Sequence, residues 1–160
     1  MNCFERLKYE RDICCKHETR LQFALTRTQH LYPFTLEKIE HLNEEELGIL
    51  DSLLIRFSKL QDTLGEKVFP LLLECLGERV DSMSFIDKLN KLEKLEILPS
   101  AQWWKNLRVI RNALTHEYPD NPEFMVSILN ETIAEAKNLI NFWHTLINHI
   151  DTKIVANREA

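Results

Sequence analysis

The sequence predicts an all-α bundle, on two observations. Glycine occurs three times and proline five times in 160 residues. A β-sandwich or a doubly wound α/β domain of that length needs many more turns than these residues supply. Between them, apolar residues recur at intervals of three and four, the period of a helix buried along one face. The 44% hydrophobic and 28% charged residues give the balance of a globular chain with a real core. The expectation is a five-helix bundle with antiparallel up-down neighbours. It forms a single domain over residues 1–151, with a frayed tail over 152–160.

The first helix covers residues 2 to about 31, with Phe4, Leu7, Ile13 or Cys14, Leu21, Ala24 or Leu25 and Leu31 inward and Pro33 at or beyond its end. A connector leads to Asn43, an N-cap ahead of Glu44, Glu45 and Glu46, whose charges suit a helix N-terminus. The second helix is long. Leu47, Leu50, Leu54, Phe57, Gln61, Leu64, Val68 and Leu71 form one stripe that is apolar except for Gln61. Pro70 kinks or restarts it, and Gly77 caps its end. Asp81 or Ser82 caps a third helix, Ser84 to about Ile97, broken by Pro99. Ser100 caps the fourth, which buries Trp103, Leu107, Ile110 and Leu114 and ends near Tyr118, ahead of Pro119. Asn121-Pro122 opens the fifth, an N-cap followed by proline at the first helical position, and this helix runs to about Ile150.

Charge and cysteine usage narrow the function classes. The net charge is −5, the wrong sign for broad nucleic-acid binding, which draws most of its affinity from phosphate neutralisation. Any action on nucleic acid must come from a local cationic site or one built between subunits. The N-terminal residues show no secretory leader, and no run has the length of a membrane span. Cys3, Cys14, Cys15 and Cys75 match neither a zinc-ligand spacing nor a disulfide framework. Reduced thiols in a cytoplasmic protein are the expectation, with no metal and no cofactor.

The chemistry-bearing residues collect on the fourth helix. On an ideal helix Trp104, Arg108, Thr115 and Tyr118 share the face of Arg111. They are expected to form a second stripe that is polar, cationic and aromatic. His116 lies about 140° from Arg111. It reaches Arg111 through the unwinding last turn or across a two-fold interface. Such a pair suits metal-free RNA cleavage. Histidine moves protons near neutrality, and the planar arginine fork holds phosphate oxygens without ever deprotonating. Asn112 adds an amide that orients the phosphate or the imidazole. A bare Arg-x4-His spacing arises by accident at about one chance in three, and a tyrosine two residues on lowers this to about one in a hundred.

Arg111-Asn112-x3-His116-x-Tyr118 resembles the Arg-x4-His-x-Tyr signature of HepT-type toxins in the HEPN superfamily. The stretch from Leu50 to Lys67 resembles the same family, and the likeness extends over about residues 47 to 120. The resemblance implies an all-α HEPN-type bundle and a homodimer that joins two Arg/His pairs in one cleft. It also implies metal-independent ribonuclease toxicity. A neighbouring MNT-type nucleotidyltransferase antitoxin is implied as well, able to transfer AMP to the motif tyrosine, here Tyr118. The acidic charge and the Trp103-Trp104 pair depart from the pattern.

Other residues are weighed beside these. Arg56 and Asp62 lie six apart on the second helix, and one of them reaching the cleft competes with a plain surface ion pair. His144 and His149 are spaced poorly for metal ligation and read as solvated or interface residues. Trp103 is expected in the core and Trp104 at a dimer interface or cleft wall. The catalytic expectation is Arg111 and His116, supported by Asn112, Arg108 and Asp62. The alternative function is a non-catalytic helical substrate-binding partner subunit of a nucleotidyltransferase.

Overall fold

The computed structural model describes residues 1–114 and 121–159. Among them the chain is all-helical, with no strand and no helix long and apolar enough to cross a membrane. Helix α1 spans Cys3–Thr28 and opens on a capping box in which the Asn2 side chain and Glu5 satisfy each other's backbone N–H groups. A short α2, Leu36–Glu40, occupies what the sequence left as connector, with Thr35 as its cap. Helix α3, Glu44–Thr63, begins at the expected cap, Asn43, again as a capping box with Glu46.

The long second helix expected from the stripe is three segments. After α3 comes a wider π-helical turn, Leu64–Val68, and then α4, Phe69–Cys75, with Pro70 at its start. The irregularity thus lies in the turn before Pro70, where the proline has no N–H to bond back and the chain stays helical through Val68 and Phe69. Gly77, at φ 87°, closes α4 with bonds from its own N–H to Glu74 and from Glu78 N–H to Leu73.

Helix α5, Phe85–Lys94, is capped by Ser84 rather than Asp81 or Ser82, because Val80–Ser82 form a separate single turn. It ends earlier than Ile97, with Glu96 at φ 58° in the position Gly77 takes after α4. Ser100 caps α6, Ala101–Ala113, as expected. Helix α7 spans Pro122–Glu159 and outlasts the expected end near Ile150. Ile154 is buried and Asp151 is bonded to α1, while residues 156–159 of the last turns are exposed.

One continuous core joins all the long helices, with Leu7, Leu21, Leu53, Phe57, Leu60, Leu72, Trp104 and Trp143 without exposure. Helix α1 packs along α3 and α4 on one side and α7 on another. Polar pairs line the α1–α7 seam. Arg11 donates to both carboxylate oxygens of Asp151, at 2.9 and 2.8 Å, and Glu18 pairs with His144. The four cysteines are free; Cys14 is fully buried, and burial pushes its thiol well above the ordinary range.

Candidate functional site

The site is built where α3 crosses α6. Two tryptophans at adjacent positions decide which face of α6 turns inward. Trp104 has no exposure and packs its ring 4.6 Å from Phe69. Trp103 is half-buried, with its Nε1–H donating to Glu135 on α7 at 2.8 Å. Trp104, expected at an interface or cleft wall, is thus the fully buried one, while Trp103 packs against the core's edge. Trp104 belongs to the core, and the stripe it shares with Arg111 is not a separate polar face. Gly65 in the π-helical turn lies against the Trp104 indole. A Cβ there would stand 3.3 Å from Trp104 Nε1, so any side chain at this position would push the indole back by a few tenths of an ångström.

Arg111 lies seven residues after Trp104, on the same side of α6. Its stem therefore runs over the core, and 28% of the side chain remains exposed. Asp62, in the last turn of α3, meets the guanidinium in a two-pronged pair, Nε to Oδ1 at 2.9 Å and Nη2 to Oδ2 at 2.8 Å. This geometry orients as well as binds, because a planar fork meets a planar carboxylate in one way. Asp62 pushes the guanidinium higher still, burial opposes this, and Glu66 adds to it. Arg111 is thus a fixed cation at every practical pH.

The other expected residues divide. Of Arg56 and Asp62, it is Asp62 that reaches Arg111. Arg56 turns to α1, where its Nη1 lies 3.3 Å from His17 Nδ1. Arg108 is held with its guanidinium carbon 5.2 Å from the centre of the Phe85 ring. Asn112 is exposed on the last turn of α6. His116 and Tyr118, with Thr115, lie outside the described residues. Among the described residues, His144 pairs with Glu18, and His149 is half-buried, lowered by burial and then by Lys153.

Sequence reasoning passed over Gln61. It is fully buried and its Nε2 donates to the Leu107 carbonyl of α6 at 2.9 Å. The signal was present: one amide in a stripe otherwise apolar.

The fold and site define an all-helical domain carrying an arginine that a neighbouring helix holds by its carboxylate. No family model matches the chain, and no curated protein and no solved structure matches it.

Proposed function

We propose that this chain is a metal-independent endoribonuclease toxin of the HEPN type, acting through Arg111 and His116. The observation that carries the reading is the Asp62–Arg111 pair. Asp62 engages two of the five guanidinium N–H donors, which presets the plane of the fork and leaves its outer edge for a phosphate. The segment that follows α6 directly brings His116 and Tyr118 in sequence. In the reaction the RNA 2′-hydroxyl attacks the adjacent phosphorus. His116 removes the hydroxyl proton, Arg111 holds the added negative charge, and the 5′-oxygen leaves with a proton, giving a 2′,3′-cyclic phosphate.

Asp62 and Glu66 offset the charge of Arg111 and the chain is acidic. RNA is therefore held by short-range donor geometry and not by a long-range field. A homodimer supplies the second acid/base. A cognate MNT-type nucleotidyltransferase acts as antitoxin in the cytoplasm. Its transfer of AMP to Tyr118 would set a phosphate against Arg111 and block the site.

The test is cleavage of purified RNA in EDTA, beside growth inhibition, by the native protein, Arg111→Ala and His116→Ala. Cyclic-phosphate ends from the native protein and loss in both variants are expected. Full activity in both variants, or loss on chelation, overturns the reading. Coexpression with the nucleotidyltransferase encoded alongside should add AMP masses that vanish in Tyr118→Phe. Neutralisation without modification would replace this control with plain complex formation.

A further inference from the structure

In the middle of the apolar face of α3 sits one amide. Gln61 has no solvent exposure, and its Nε2 donates to the Leu107 carbonyl at 2.9 Å. In a regular helix that carbonyl also accepts the N–H of the residue four positions on, which is Arg111. Gln61 therefore grips α6 at the peptide group that fixes the Arg111 backbone. One residue on, Asp62 holds the guanidinium itself. One turn on, Gly65 admits the Trp104 indole. Three contacts in five residues of α3 and its π-helical extension thus tie α6 down along the face that carries Arg111.

The amide is costly. Its Oε1 is buried with no hydrogen-bond partner among the described residues, and an unpaired buried acceptor works against folding. A methionine or leucine would fill the same space without that cost. Stability alone gives no reason for glutamine here. What glutamine adds, and an apolar side chain lacks, is a directional bond that sets the rotation and axial position of α6 against α3. Even a small shift or rotation of α6 would carry the Arg111 fork off the Asp62 carboxylate.

We propose that Gln61 is a positioning residue for Arg111, clamping the Leu107 carbonyl so that the guanidinium meets Asp62 in its two-pronged geometry. The proposal rests on reading Arg111 as the phosphate-contacting group, while the placement is measurable without any RNA. The variant is Gln61→Met, which keeps length and removes the donor. Its urea midpoint should equal or exceed that of the native protein. The Arg111 Nε–H signal, assigned in nitrogen-15 spectra with Arg111→Lys, should exchange with water roughly tenfold faster than in the native protein. RNA cleavage should lose about tenfold in kcat with KM little changed, because the loss is of alignment and not of uniform binding.

An unchanged exchange rate in a folded Gln61→Met protein overturns the proposal, whatever the RNA assay gives. Faster exchange, with no cleavage even by the native protein, upholds the placement and removes the ribonuclease reading instead. Should Gln61→Met not fold, Gln61→Leu is read the same way. Failure of both to fold makes the amide a structural necessity and overturns the positioning role.

Discussion

Replacing Trp104 by alanine should be among the most damaging single changes in the bundle, and replacing Trp103 far milder. Trp104 is fully buried against Phe69, with ring centres 4.6 Å apart, and near Phe142 at 6.0 Å. A buried indole hides about 200 Å² of surface, which at about 25 cal/mol per Å² gives about 5 kcal/mol as an upper bound. Alanine retains part of that, while the cavity it leaves adds a further cost, so a loss of about 4 kcal/mol is expected. No hydrogen bond is lost with it, because Trp104 Nε1 has no partner among the described residues. Trp103 is half-buried, and its bond to Glu135 is worth about 1–2 kcal/mol at a partly exposed carboxylate. Trp103→Ala should therefore cost about 2 kcal/mol. Domains of this size have about 5–15 kcal/mol in total, so the difference is large. Urea unfolding followed by far-ultraviolet circular dichroism measures both, free of the lost tryptophan fluorescence. Equal losses, or a larger loss from Trp103→Ala, would refute the assignment of Trp104 to the core.

Two further predictions concern stability. Burial, then Arg56, Lys59 and Arg20, lower the His17 pKa, and burial and Lys153 lower that of His149. Each histidine binds its proton more readily unfolded, at about 6.5, so their contribution is complete above that pH and is lost as pH falls through the folded values. The urea midpoint should hold between pH 7 and 8 and decline below about 6.5, less steeply in a His17→Gln/His149→Gln protein; an identical slope contradicts this. Glu96 stands in the left-handed region at φ 58°, which costs a residue with a side chain about 1 kcal/mol. Glu96→Gly should raise Tm by about 2–4 °C, and a fall would show that the Glu96 side chain contributes more than its backbone costs.

The helices were legible where one side of each was unmistakably polar. Asn43 and Ser100 marked starts because their side chains accept backbone N–H groups that nothing else can, and Asn121 does the same for Phe124. The α2 helix was missed because five residues hold too little periodicity to separate from a connector. The end of α7 was misplaced because polar Thr152 and Lys153 mask Ile154, whose burial depends on α1 lying alongside. Trp104 was misplaced for a related reason. Leu107 follows Trp103 by four and Trp104 by three, so either fits its stripe. The choice falls to residues on other helices, Gly65, Phe69 and Phe142, and no reading along α6 contains them. At the site, Arg111 and Asp62 were both singled out, but their pairing needed the crossing of two helices. Arg56, six residues from Asp62, was separated from it only by where α1 lies.

The polar seam between α1 and α7 protects the alignment of the two helices. Arg11 and Glu18 are seven apart on α1, and Asp151 and His144 are seven apart on α7. A heptad slip keeps apolar stripes in contact, so packing alone would tolerate it. The order of the partners does not. Slid seven residues one way, Glu18 would face Asp151, two anions; slid the other way, Arg11 would face the His144 ring, which offers it no carboxylate. The seam thus acts as a key with its teeth cut in opposite senses, so that the 38-residue helix seats against its neighbour in one alignment.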